Sequence, residues 1–166
     1  INSGSGNQGM TASLPVVEYG KKLDCSDEKI YRALCISNLI AIYQKSGIGR
    51  LSAYCGAVSA AAGAGAGITY LYGGSLKQIS QTITNTLANI SGIICDGAKS
   101  SCAAKIASSV DAAIVATMMS LRGNAFAPGD GIVKGNIENT VDGVVKLAKE
   151  GMKVTDDVVL QIMVED

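Results

Sequence analysis

The chain has 166 residues and no net charge at neutral pH, because 14 basic side chains balance 14 acidic ones. This length suits one domain with a proper core, and the neutral charge excludes the basic footprint of a protein that binds nucleic acid or an anionic membrane. Histidine is absent, so catalysis by Ser/His/Asp or Cys/His groups within this chain is excluded.

The apolar periodicity predicts helices along nearly the whole chain. The first is expected over about residues 10–23, after a loop rich in Gly, Ser and Asn, with Pro15 near its first turn. The second is expected to begin after the N-cap Ser26 and to stop at Gly47. Cys35 lies among apolar residues of this helix and is predicted in the core, whereas Cys25 precedes the cap and is expected to be partly exposed.

Residues 53–72 form an uncharged stretch that is long enough to cross a membrane. The stretch consists mainly of Ala and Gly, and small residues permit close approach in a soluble core. We therefore predict a buried central helix here, which ends at Gly73 and Gly74.

The second half of the chain continues the helical pattern and shows no strand alternation or internal repeat. Further helices are predicted from the cap Ser75 to Gly92, from about Cys102 to Gly123, from Ile137 to Met152 after a loop at 126–131, and from the cap Thr155 onward. The prediction is an all-α fold: a single bundle of about seven helices around a Gly/Ala-rich central helix.

Cys55, Cys95 and Cys102 form the most informative pattern in the chain. Three soft thiolates without histidine favour an iron–sulfur cluster or zinc. Seven residues of continuous helix would separate Cys95 from Cys102 by about 10 Å. We therefore expect Cys95 in a turn before the helix and Cys102 near its first turn, where the helix dipole stabilises anionic charge. The alternative is that all three are buried small apolar side chains.

The number of cysteines and the first residues of the chain indicate the cellular compartment of the protein. Five cysteines are an odd number, and no secretory signal pattern follows Ile1, so reduced thiols in the cytoplasm fit better than a disulfide framework. In a chain without a cluster, Cys95 and Cys102 are the pair expected to oxidise.

A polar, glycine-rich segment precedes the first predicted helix. Ser5, Gly6, Asn7 and Gln8 combine close backbone approach with short polar groups, an arrangement that binds carboxylate or phosphate through backbone amides. The alternative is a flexible chain end. Lys99 and Arg50 are candidates to neutralise a substrate carboxylate or a cluster, and for each the alternative is a solvated side chain. Cys25 is a weaker candidate for a fourth ligand.

Four segments together resemble one known family. They are SGNQGMTASLP at 5–15, RLSAYCG at 50–56, CDGAKSSCA at 95–103 and EGMKVTDDVV at 150–159. In this order they resemble the L-cysteine desulfidase family, a relative of the alpha chain of iron–sulfur-dependent L-serine dehydratase. The resemblance covers residues 1–166 as one alpha-chain-like domain, which is expected to be a C-terminal fragment of a longer enzyme.

The resemblance implies a function for these residues. Cys55, Cys95 and Cys102 match the ligands of a 4Fe-4S cluster with one open iron, and the segment from Ser5 to Gln8 matches a substrate-binding position. The implied reaction is an α,β-elimination without pyridoxal phosphate, giving pyruvate and ammonia plus sulfide or water. The upstream part of the enzyme is expected to carry the acid/base group, so the fragment alone is predicted to be inactive.

The remaining expectations concern partners and alternatives. A small amino acid is the expected substrate, and a second copy of the chain is a further candidate partner, whereas nucleic acid and membrane are not expected. The competing hypothesis is a structural zinc-binding or metal-free helical interaction module.

Overall fold

The computed structural model describes residues 1–165, and within them the fold is all-α, as predicted. The helices are α1 (Gly6–Lys22), α2 (Asp27–Ile48), α3 (Gly56–Leu71), α4 (Leu76–Ile90), α5 (Ser100–Leu121), α6 (Ile137–Lys146) and α7 (Lys153–Val164), with a π-helical turn at Leu147–Gly151. Pairing of the β type among these residues is confined to two isolated bridges.

Helix α3 is the centre of the bundle and packs against α1, α2, α4 and α5. Its residues are buried without interruption from Gly56 to Thr69. Glycine is required where α2 crosses it, because a Cβ at Gly63 would overlap the carbonyl oxygen of Ser37. The predicted central helix is therefore confirmed, and its small side chains let neighbouring backbones approach it directly.

A different helix has the properties of a membrane span. Within residues 1–165, α5 is the one helix that is long and apolar enough to cross a membrane. Of its apolar 18-residue stretch, 28% is buried in the bundle. The core helix of a soluble protein can have the same length and apolar composition. Helix α5 packs against α3 and α4 in the bundle.

The start of α1 differs from the prediction. Ser5 is the N-cap, and its hydroxyl accepts a hydrogen bond from the backbone N–H of Gln8, so the predicted loop at residues 6–9 is the first turn of the helix. Pro15 consequently lies inside the helix and not near its first turn. The helix continues past the missing N–H of Pro15, with the fully buried Ala12 and Val16 on either side of it packing into the core.

Three smaller predictions also need correction. Helix α2 passes through Gly47, which lies against Val145, and ends at Ile48. Cys35 is exposed on the outer face of α2 and is not a core residue. Helix α7 begins at Lys153, two residues before Thr155, because it follows directly on the π-helical turn. Cys25 is half-buried, as expected.

Candidate functional site

The three predicted cysteines line one small cavity of about 90 Å³. The cavity wall consists of Ser5, Asn7, Gln8, Cys55, Gly56, Ala57, Cys95, Gly97, Ala98 and Cys102. A larger cavity of about 530 Å³ lies between α4 and residues 125–138, but no cysteine lines it. The small cavity is therefore the candidate site, because three cysteines line it and no cysteine lines the larger one.

A short antiparallel contact brings Cys55 and Cys95 together. The N–H of Cys55 donates to the carbonyl of Ile93 at 3.1 Å, and the N–H of Cys95 donates to the carbonyl of Ala53 at 2.6 Å. Tyr54 and Ile94 are the bridge partners between them. Since side chains alternate along extended backbone, the two cysteines project from the same face of this contact.

Cys102 reaches the cavity from the first turn of α5. Cys95 lies in the preceding turn, where Gly97 adopts a positive φ of 89°, so both positions agree with the prediction from spacing. The side-chain amide of Asn7 donates a hydrogen bond to the Cys102 sulfur at 3.3 Å. Helix α1 thus supplies a polar contact to a thiol that lies 95 residues away in the chain.

The thiols of Cys55 and Cys95 shift each other's pKa in opposite directions. A hydrogen bond from the Cys55 thiol lowers the pKa of Cys95 to about 6, against the effect of burial and with help from the Gly97 backbone and the Lys105 ammonium group. The same hydrogen bond, together with burial, raises the pKa of Cys55 well above its ordinary value. At neutral pH the pair therefore consists of a thiolate at Cys95 and a thiol at Cys55.

Helix α1 presents unused polar groups to the cavity. The Gln8 side-chain oxygen is buried and has no hydrogen-bond partner among the described residues. Gly56 makes room for it, because a Cβ there would overlap the Gln8 amide. The backbone N–H groups of Gly6 and Asn7 occupy the first helical turn and have no acceptor within the helix. The first turn of α1 therefore offers both donors and an acceptor to a small polar ligand.

The predicted cations lie farther from the cavity. Lys99 is an exposed N-cap of α5 and does not line the cysteine cavity, and Arg50 is exposed beside a different cavity. Sequence reasoning missed the buried Lys45, which is only 5% exposed. Burial lowers the pKa of its ammonium group, and the charges of Cys95 and Cys55 oppose that shift. Its position on the buried face of α2, between Ala41 and Ile48, was the available signal.

The spacing of the thiols distinguishes between two kinds of metal site. Within residues 1–165, no three Cys, His, Asp or Glu side chains lie close enough together to hold a single metal ion. A structural zinc site requires four ligands on one ion, which argues against zinc here. In an iron–sulfur cluster each thiolate binds a different iron, and three free cysteines around one cavity are the kind of donor set that such a cluster uses.

Comparisons with known proteins agree on one family. The sequence model of the serine dehydratase alpha chain matches residues 1–161. A protein of Lachnoclostridium phytofermentans named UPF0597 protein is 78% identical over 98% of this chain and 39% of its own length. A second UPF0597 protein, from Treponema denticola, is 58% identical over 99% of this chain and 38% of its own length. No solved structure matches. The chain therefore spans about two fifths of the length of these relatives.

Proposed function

Because the chain belongs to the serine dehydratase alpha chain family, we propose that it is the part of an amino-acid lyase that binds an iron–sulfur cluster. The observation that carries the proposal is that Cys55, Cys95 and Cys102 line one cavity although they come from three separate segments. Neither a disulfide nor a single-ion site explains this arrangement, since all three cysteines are free and too widely spread for one ion.

The three cysteines would hold a 4Fe-4S cluster through their thiolates. A cluster with three protein ligands leaves one iron open, and that iron would act as a Lewis acid toward a leaving thiol or hydroxyl group. Asn7 would stabilise the Cys102 thiolate through the hydrogen bond that it donates to the sulfur. Cys95 is the ligand best prepared for binding, because the lowered pKa of its thiol keeps it ionised at neutral pH.

The substrate would bind between the thiols and the first turn of α1. The buried Gln8 oxygen would accept a hydrogen bond from the substrate ammonium group, and the N–H groups of Gly6 and Asn7 would bind its carboxylate. Ser5 would act mainly by capping the helix that presents these amides. Lys99, which follows the cavity residue Ala98 in the chain, remains a predicted substrate contact.

The proposed reaction is an α,β-elimination from L-cysteine or L-serine. Loss of the α proton and of the β substituent gives aminoacrylate, and its hydrolysis gives pyruvate and ammonia, with sulfide or water released. A proton acceptor is required; the three cysteines of the described cavity are assigned to the cluster, and no Lys, Arg, Asp or Glu side chain lines it. We assign that role to the part of the enzyme outside this chain, which in the relatives amounts to about three fifths of the length.

The outer face of α2 is the proposed docking surface for that missing part. Tyr31, Leu39 and Tyr43 are each more than half exposed there, although they are large and apolar. A domain that covers this face would also bury Cys35. We further propose a cytoplasmic location, because five free cysteines persist in a reducing compartment.

Anaerobic reconstitution with iron and sulfide tests the cluster. We expect about four irons per chain and a brown protein for the wild type. Replacement of Cys55, Cys95 or Cys102 by Ser should strongly lower the iron content, whereas Cys35→Ser, a change of an exposed cysteine, should leave it unchanged. Equal iron content in all four variants, or none in the wild type, would falsify the proposal.

A further inference from the structure

A further cavity, of about 360 Å³, lies at the C-terminal end of α2. Its wall consists of Ser3, Ile42, Lys45, Ser46, Gly49 and Arg50. Two of these side chains, Lys45 and Arg50, are cations, and none is acidic. Like charges around one cavity repel each other unless an anion lies between them. The wall therefore has the charge that a binding site for an anion needs.

Lys45 is the buried cation of this wall. It is 5% exposed, and its ammonium group forms no salt bridge or side-chain hydrogen bond with residues 1–165. The ammonium nitrogen is not among the fully enclosed atoms of this part of the chain that lack a partner, so it keeps a small contact with water. Since Lys45 lines the cavity, the cavity is where that contact lies.

The end of α2 compensates only part of this charge. Lys45 lies in the last turn, where the helix dipole favours a cation, but this effect is smaller than the cost of removing an ammonium group from water. The hydroxyl groups of the wall are bonded elsewhere. Ser46 donates to the carbonyl of Tyr43 at 2.7 Å, and Ser3 donates to the side-chain oxygen of Asn2 at 2.9 Å. The remaining compensation is left to a group that enters the cavity.

We propose that this cavity binds a small oxyanion, a carboxylate or a phosphate group, between Lys45 and Arg50. The planar guanidinium group of Arg50 suits two oxygens of either anion, and the ammonium group of Lys45 adds a compact charge. No residue lines both this cavity and the cysteine cavity, so the site is separate and does not depend on the proposed function. A bound anion would connect the segment before α1 with the loop after α2, because Ser3 and Arg50 both line the cavity.

Titration calorimetry of the metal-free chain tests the site, with inorganic phosphate and, separately, acetate as the probe at constant ionic strength. At least one of the two anions should bind with one ion per chain. Lys45→Met and Arg50→Gln should each weaken this binding by about 10-fold or more, because each removes one charged donor. Arg122→Gln, which changes an exposed arginine at the end of α5, is the matched control and should bind as the wild type does.

Thermal unfolding provides a second readout and shows that each variant is folded. A ligand that binds the folded chain raises its unfolding midpoint. The anion should therefore raise the midpoint of the wild type and of Arg122→Gln more than that of Lys45→Met or Arg50→Gln. Arg50 is exposed, so its variant decides the matter even if the buried Lys45 cannot be replaced without unfolding.

The outcomes separate this site from the proposed function. Unchanged affinity in both Lys45→Met and Arg50→Gln would show that the anion binds elsewhere, for example at the first turn of α1, and overturns the site. Absence of binding by both anions, or equal weakening in Arg122→Gln, overturns it as well. A failure of the chain to take up iron leaves these results unaffected, because no cysteine lines this cavity.

Discussion

At the scale of single residues, the site depends on the interaction between two thiols, those of Cys55 and Cys95. Cys55 lies within the core and Cys95 at its edge. The hydrogen bond between them is the largest cause of the raised pKa of Cys55 and of the lowered pKa of Cys95. The hydrogen bond between them favours one thiolate over two, because two adjacent negative charges in a partly buried site repel each other.

The pH profile of thiol alkylation checks this pair. In the metal-free chain, Cys95 should react with a labelling midpoint near its pKa of about 6. Cys55→Ala removes the hydrogen bond that stabilises the thiolate, so the midpoint should rise toward the ordinary value of 9.0. Mass spectrometry of the Cys95 peptide across the pH range measures this midpoint. An unchanged midpoint in Cys55→Ala would contradict the hydrogen bond between the two thiols.

Oxidation of the metal-free chain provides a second check. The thiols of Cys55 and Cys95 interact directly, so hydrogen peroxide should join this pair and not Cys95 with Cys102, the pair expected from the sequence. Two thiols lose two protons and two electrons, and peroxide is reduced to water. Peptide mapping under non-reducing conditions identifies the bond, and Cys35→Ser should not alter the pattern. A Cys95–Cys102 bond as the main product would show this prediction to be wrong.

At the scale of elements, helix α3 depends on glycines that carry no conformational role of their own. Gly63 and Gly67 have ordinary helical backbones, yet a Cβ at either would collide with a carbonyl oxygen of α2. The glycines lower the helix propensity of α3 but allow the backbone of α2 to pack closely against it. This close packing places α2, and with it Lys45, directly against the central helix.

Two alanine substitutions measure the packing effect and the helix-propensity effect separately. Gly63→Ala should destabilise the chain by about 1–3 kcal/mol, because the added methyl group overlaps the Ser37 backbone. Gly143→Ala in α6 meets no atom within 4 Å and should stabilise it by about 0.5–1 kcal/mol through helix propensity alone. Urea denaturation gives both values, and equal effects of the same sign would contradict the packing argument.

At the scale of the whole molecule, hydroxyl groups connect the helices α3, α4 and α5 within the core. Thr69 of α3 contacts Thr82 of α4 at 2.8 Å and Thr117 of α5 at 3.3 Å. Thr69 and Thr117 also both donate to the carbonyl of Gly65. All three hydroxyl groups are fully buried, so their mutual hydrogen bonds satisfy groups that have no access to water.

Removing the central hydroxyl should be costly. Thr69→Val keeps the shape of the side chain but takes away the shared partner of Thr82 and Thr117, with an expected loss of about 1–3 kcal/mol. Thr84→Val, which changes a half-buried threonine of α4 without a hydrogen bond to its side chain, is the matched control and should have little effect. Thermal unfolding of both variants decides whether the network stabilises the bundle.

Turnover is the remaining prediction for the whole molecule. The reconstituted chain by itself should form little or no pyruvate from L-cysteine or L-serine, because the cavity cysteines would bind the cluster and no Lys, Arg, Asp or Glu side chain lines the described cavity. The full-length relative of Lachnoclostridium phytofermentans, assayed in the same way, should form it. Robust pyruvate formation by this chain alone would show that it contains the proton acceptor.

The sequence by itself determined the fold class, the central helix and the family. Helical periodicity, the run of Ala and Gly, and the spacing of Cys95 and Cys102 are local properties, and local properties can be read from residue order. The same reasoning misplaced the start of α1 and the environment of Cys35, because helix boundaries and the choice of buried face depend on contacts with other segments.

Tertiary structure alone decided how the site is assembled. The contact between Ala53–Cys55 and Ile93–Cys95, the hydrogen bond from Asn7 to Cys102, and the burial of Lys45 all join residues far apart in the chain. The apolar periodicity of the sequence does not reveal these contacts, because they form only when the helices pack around α3. The chemistry of the thiols follows from that packing, since the hydrogen bond between Cys55 and Cys95, their burial and neighbouring charges shift their pKa values.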